Sequence, residues 1–261
     1  MKRFILVFLL ILTMLPNASS YAASRVSQRG DTIVWSGIVQ VRGVFTVSKG
    51  KLLEIRPGTK VVFHRDSTLL VEGRLRAIGL KSKEIIFTSA TKGTGGRWHE
   101  IKFDSAGDSI MEHCVIENAM GGVHSHFTRL TLTGCTFKSN DIGLRFQNGP
   151  LNISKCRFTG NRIGLRSYRG VAQISESDFW GNEIGLFVRE KGSGLNISKT
   201  NFFRNSSYNI RVGDFNDEDI EADGNWWGVS DPAATIFDAG DEPGIGNVLF
   251  EPFSNERISW Q

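Results

Sequence analysis

Arginine recurs at a fixed spacing in the second half of the chain. Arg145 and Arg166 are 21 residues apart, His124 stands 21 before them, Phe187 follows 21 after, and Arg211 comes 24 later. If the chain stacks one repeat on the next, these residues form one exterior column. A guanidinium is a planar fork that meets a carboxylate through two hydrogen bonds. Trp180 and Phe203, in nearby exterior columns with Lys138 and Arg157, would add flat surfaces for sugar rings. That combination suits an acidic polysaccharide. The competing reading is that long charged side chains only solvate a sheet and keep it from pairing with others.

A second group is acidic: Asp214, Asp217, Glu218, Asp219, Glu221 and Asp223. If Ile220 and Ala222 face inward, Asp219, Glu221 and Asp223 project outward from one strand, because alternate side chains share a face. Calcium takes roughly six to eight oxygens in irregular geometry, so this cluster is the calcium candidate, although it lacks the fixed spacing of an EF-hand loop. The carboxylates Glu176, Asp178 and Glu183 fall in different columns, which gives no convincing pair for glycoside hydrolysis. No nucleophile elbow, phosphate loop or dinucleotide fingerprint is present.

The elements that must position these residues are set by a repeat. Lines beginning at Thr131, Asn152 and Gln173 are 21 residues apart, and the next begins 23 later at Asn196. Four apolar columns follow: Leu132, Ile153, Ile174, Ile197 and Ile220; Phe137, Phe158, Phe179 and Phe202; Ile142, Ile163 and Ile184; and Leu144, Leu165, Leu186 and Ile210. Period-2 alternation makes these interior, and stacked coils bury a continuous core that one coil could not make. Asn140, Asn161, Asn182 and Asn205 share a turn, where Asn tolerates the left-handed backbone region and can bond from coil to coil. Cys114, Cys135 and Cys156 share an interior column. They read as a ladder of buried thiols, with a disulfide between neighbours as the alternative: Cα atoms about 4.8 Å apart permit the bridge, but parallel side chains give it poor geometry.

The remaining bounds come from composition and the first residues. Lys2 and Arg3 precede an apolar run from Phe4 to Leu15, and small residues follow near Ala22. This predicts a signal peptide over 1–22, a β-helix over 23–228, a non-repeating cap of the same domain over 229–261, and a periplasmic or extracellular location. The run is too short to span a bilayer, so no transmembrane anchor is expected after cleavage. The net charge of +4 would fall to about +2 on loss of Lys2 and Arg3, which does not indicate a nucleic-acid partner. Trp226 and Trp227 are expected to seal the C-terminal end, with a short helical turn near Ala233.

The chain resembles the pectin-lyase-like right-handed parallel β-helix superfamily, and within it exported β-helix proteins of the NosD-like type. The resemblance rests on the repeat lines and on the opening segment GIVQVRGVFTVSKGKLLEIRPGTKVVFHRDSTLLVEGRLRAIG. Arg97-Trp98-His99-Glu100-Ile101-Lys102-Phe103 and Gly224-Asn225-Trp226-Trp227-Gly228 also carry it. It implies an all-β solenoid but not one activity. Some lyases of this fold hold a uronate through calcium with an Arg or Lys as base, a role that Arg211 could take here. The NosD-like likeness raises a copper or zinc site at two of His99, His113, His124 and His126, without the supporting Met or Cys-His spacing. The expectation is an exported, non-catalytic β-helix that binds a glycan or envelope partner through its Arg/aromatic face and requires no cofactor. A polysaccharide lyase or hydrolase, and a structural component of the envelope, are the alternatives.

Overall fold

The computed structural model describes residues 25–260, apart from 92, 193 and 214. The signal peptide expected over 1–22 therefore lies outside the described residues, as does Asp214. The chain winds into an all-β solenoid of about nine turns. Its strands form three sheets, the first of eleven strands, the second of eight and the third of nine, each taking every third strand in sequence order except at the ends of the first and third. One regular coil illustrates the unit: Leu151–Ser154 lies in the first sheet, Arg157–Thr159 in the second and Ile163–Tyr168 in the third. Every pairing in the stack is parallel and in register, so equivalent residues of successive coils lie side by side. The exception is Arg25–Arg29, which folds back antiparallel on Thr32–Ser36 and covers that end of the first sheet.

The 21-residue spacing holds through the middle coils, but coil length varies elsewhere. Trp35 pairs with Ile55, 20 residues on, whereas Ala77 pairs with Met111, 34 on. The long coils place their extra residues in corners, where they leave the strand register unchanged.

The Phe column packs as one continuous stack. Phe137, Phe158, Phe179 and Phe202 lie with centroids 4.7, 4.4 and 5.0 Å apart and rings within 12° of parallel. Trp227 extends the stack at 5.1 Å, and Phe250 from the last, abbreviated coil packs edge-on against it at 6.0 Å. Trp226 does not join it: its ring tilts against Phe203 on the outside, because adjacent residues of a strand face opposite ways. Near the other end, Trp98 stacks on Phe63 at 4.1 Å and donates its Nε1 hydrogen to the Glu117 carbonyl at 2.9 Å.

Three sequence expectations change in detail. Ile220 does not continue the Leu132 column. Asn196 pairs with Glu221, which puts Ile220 beside Leu195 and Ala222 beside Ile197. That coil carries two extra residues, so the parity survives and the register shifts. Ile142, Ile163 and Ile184 form a separate apolar strip against Phe187, apart from the main core. At that corner Gly143 faces inward: a Cβ there would lie 3.2 Å from the Phe137 Cβ and 2.6 Å from the Gly164 carbonyl oxygen. The left-handed backbone residue of the Asn turn is the preceding one, Ser139, Gly160, Gly181 or Arg204.

The asparagines themselves form a hydrogen-bonded ladder. The Asn161 Oδ1 accepts from both the backbone N–H and the side-chain amide of Asn140, each at 3.0 Å. Asn182 does the same for Asn161, and Asn205 for Asn182. Each Nδ2 of Asn140, Asn161 and Asn182 also donates to a carbonyl of the preceding coil. Cys114, Cys135 and Cys156 are free and fully buried, in contact with backbone carbonyls.

Beyond Gly228 the solenoid continues through one abbreviated coil. A 3-10 turn over Pro232–Thr235 leads to Ile236–Phe237, which pairs with the third sheet, and Val248–Leu249 pairs with the first. Two-residue strands without Phe or Asn columns carry no repeat signal in the sequence. Among the described residues no helix is long and apolar enough to cross a membrane.

Candidate functional site: the outer face of the third sheet

The third sheet carries two exterior columns. The first runs Lys102, His124, Arg145, Arg166, Phe187, Arg211 and Phe237. The second runs Asp104, His126, Gln147, Tyr168 and Arg189 in the same coils. The structure thus brings together His124, Arg145, Arg166, Phe187 and Arg211, and adds Tyr168 and Arg189, which the sequence reading did not single out. The Arg211 guanidinium lies 5.4 Å from the Phe187 ring centroid and 5.3 Å from that of Phe237. The Arg189 guanidinium lies 5.7 Å from the Tyr168 ring. Such cation–π contacts hold the guanidinium planes in place while leaving their edges to other partners.

At the Lys102 end of this face lies Glu100. It occupies an exterior strand position, yet its side chain is only 4% exposed. The space for it comes from glycine: a Cβ on Gly121 would lie 2.9 Å from its Oε2. The Arg145 Nη2 donates to Glu100 at 2.6 Å, and the His124 Nδ1 lies 3.5 Å from the other oxygen. Burial alone would raise the Glu100 pKa. The hydrogen bond from His124 and the charge of Arg145 outweigh it and hold the carboxyl below its ordinary value. Four residues further along the same strand, Lys102 at 2.9 Å and His126 at 3.4 Å surround Asp104, whose pKa is also lowered, chiefly by the Lys102 hydrogen bond.

Between these groups lies an open cleft of about 240 Å³, lined by His124, Arg145, Gln147, Arg166, Tyr168 and Arg189. It falls below the roughly 300–1,000 Å³ of enclosed small-molecule sites and suits a chain lying across the coils. Among the described residues, no hydrogen-bond partner meets the buried Nε of Arg145 or of Arg211.

The other candidates lie elsewhere. Trp180 and Phe203 are stacked at 6.0 Å on the second sheet, not beside the arginine column. Phe203 lies under the Arg257 guanidinium at 4.8 Å, so the C-terminal tail occupies this would-be platform. The Arg/aromatic face expected from the sequence is therefore divided: Phe187 shares a sheet with the arginines, and Trp180 and Phe203 do not. Two exterior columns close in sequence fell on separate sheets because the Asn turn intervenes between them.

Asp219, Glu221 and Asp223 do face outward, with Ile220 and Ala222 buried between them. Asp219 accepts from the backbone and side-chain N–H groups of Asn247 at 2.7 and 3.2 Å, and Lys191 engages Asp217 and Glu218. Glu221 belongs to the first sheet and Arg211 to the third, so the acids and the arginine of the lyase reading stand on different sheets. Among the described residues no three His, Cys, Asp or Glu side chains converge as metal ligands.

A family model described as a right-handed β-helix region matches residues 125–226. That segment holds the regular 21-residue coils and stops at the tryptophan pair. No curated protein and no solved structure matches the chain. The match and the nine-turn solenoid together agree with a pectin-lyase-like β-helix repeat protein.

Proposed function

We propose that the protein is an exported, non-catalytic β-helix that binds an acidic glycan across the outer face of its third sheet. The observation that carries this reading is the alignment of Arg145, Arg166 and Arg211 in one column, with Arg189 beside them and the rings of Tyr168, Phe187 and Phe237 between. Arginines on neighbouring coils repeat at the strand spacing of about 4.8 Å. A polymer with a carboxylate or sulfate on successive sugars can thus meet several forks at once. Glu100 fixes Arg145 and so keeps part of the face rigid before a ligand arrives, which lowers the ordering cost of binding. The shallow, open cleft supports binding along a surface more than enclosure of a reacting bond.

The test is retention on immobilised polyuronate and on a sulfated glycan, run at rising salt. Wild type should bind and elute at moderate salt, and the Arg166→Ala/Arg211→Ala variant should pass through. Equal retention of the two proteins would refute the reading. No retention on any acidic polymer would turn attention to an envelope protein as the partner of this face.

A further inference from the structure

A second cleft, of about 590 Å³, lies at the corner between the first and second sheets. Its floor is the stack of left-handed turn residues His113, Gly134 and Lys155, with φ of 45°, 62° and 54°. Lys81, Glu84 and Arg157 rise around it, and Trp260 forms a wall. None of these residues belongs to the third-sheet face.

Trp260 is placed there by an ordered tail. The Arg257 Nη2 donates to the Asp178 carboxylate at 3.0 Å, and that side chain is only 6% exposed. The Asn201 side chain then bonds both faces of the Ile258 peptide: its Oδ1 accepts the backbone N–H at 2.9 Å and its Nδ2 donates to the carbonyl at 3.0 Å. The Arg157 guanidinium lies 4.8 Å from the Trp260 ring centroid. These contacts fix a half-buried indole beside three cations. Lys155 is only loosely engaged by Glu176, at 3.7 Å, and so can turn to a ligand at little cost.

We propose that this cleft is a separate ligand site, taking one anionic sugar unit. The sugar ring lies against Trp260, its carboxylate or sulfate meets Lys81, Lys155 and Arg157, and Glu84 accepts hydrogen bonds from its hydroxyls. The cleft volume falls within the range of small-ligand sites, roughly 300–1,000 Å³. An aromatic wall with a few convergent polar groups is the composition such sites share. The three cations select for an anion, and the single carboxylate selects for a ligand that also carries hydroxyls.

The experiment is calorimetric titration of the full chain with trigalacturonate and, separately, with a sulfated chondroitin disaccharide. Whichever probe binds identifies the anion. Lys155→Ala and Trp260→Ala should each weaken binding about tenfold, as expected for loss of a charge-assisted hydrogen bond or of a stacking surface. The titrations are run in the Arg166→Ala/Arg211→Ala background, in which the third-sheet face is disabled, so that the heat of binding reports this cleft alone. Binding should also change tryptophan fluorescence saturably, and Trp260→Phe should remove that change without altering the melting temperature. The proposal is overturned if neither probe binds, if Lys155→Ala binds like wild type, or if the fluorescence change survives in Trp260→Phe.

Discussion

Replacing Glu100 by Gln tests how the third-sheet face is held. The side chain is almost fully buried and bears on Arg145 at 2.6 Å and His124 at 3.5 Å. Gln fills the same space but removes the charge, leaving Arg145 without its counter-ion. Removing one partner of a fully buried pair costs about 3–5 kcal/mol. The Arg145 side chain is 29% exposed, and water screens part of the loss, so a cost of about 2–3 kcal/mol is expected. For a domain of this size each kcal/mol lowers the melting temperature by roughly 2–4 °C, which gives a drop of about 4–12 °C at neutral pH. The sign with pH is fixed by the lowered folded-state pKa of Glu100. Its contribution is fully present above the ordinary value of 4.5 and is lost as pH falls through the lower folded value. Wild type should therefore lose stability over that acid window, and Glu100→Gln should lose less. Thermal melts of both proteins between neutral and acid pH measure this directly. A variant that melts within a degree of wild type at neutral pH, with a parallel acid profile, would refute the account of Glu100 as the ionised anchor of Arg145.

Two other expectations follow from the interior. Asn161→Ala removes two accepted and two donated hydrogen bonds in a site only 3% exposed; at about 1 kcal/mol net for each bond it should cost about 3–4 kcal/mol, read from the denaturant midpoint. The three cysteines should be silent to a thiol reagent in the native protein and should all react after unfolding, because each is buried and free, and burial pushes the Cys114 and Cys156 thiols up; rapid labelling of even one thiol in the folded chain would contradict the packing.

What the sequence made legible is what repeats. Phe137, Phe158, Phe179 and Phe202 declare a common environment by recurring, and so do the asparagines and the buried cysteines. The arginine column was legible for the same reason. Glu100 was not, because it occurs once, in a long coil, at a position whose parity marks it as exposed. The available signal was local: Gly121, one coil later, leaves the space that a side chain would otherwise take. The division of Trp180 and Phe203 from the arginines was hidden because spacing fixes a column but not the angle between sheets. The tail Arg257–Trp260 has no repeat at all; its placement depends on the single pair Asp178 and Asn201, 79 and 57 residues away.

The in-register stack also sets the unit in which this molecule can change its length. Between Thr131 and Asn196, excising 21 residues from a regular coil rejoins Asn to Asn, Phe to Phe and Gly to Gly, and leaves every seam intact. Excising 20 would turn every inward side chain of the following strands outward. Duplication or loss of a whole coil is therefore nearly invisible to the core, while it adds or removes one arginine-bearing step from the outer face. Growth by coils would lengthen the charged face and the core together, so the reach of the surface and the stability of its support are inherited as one quantity.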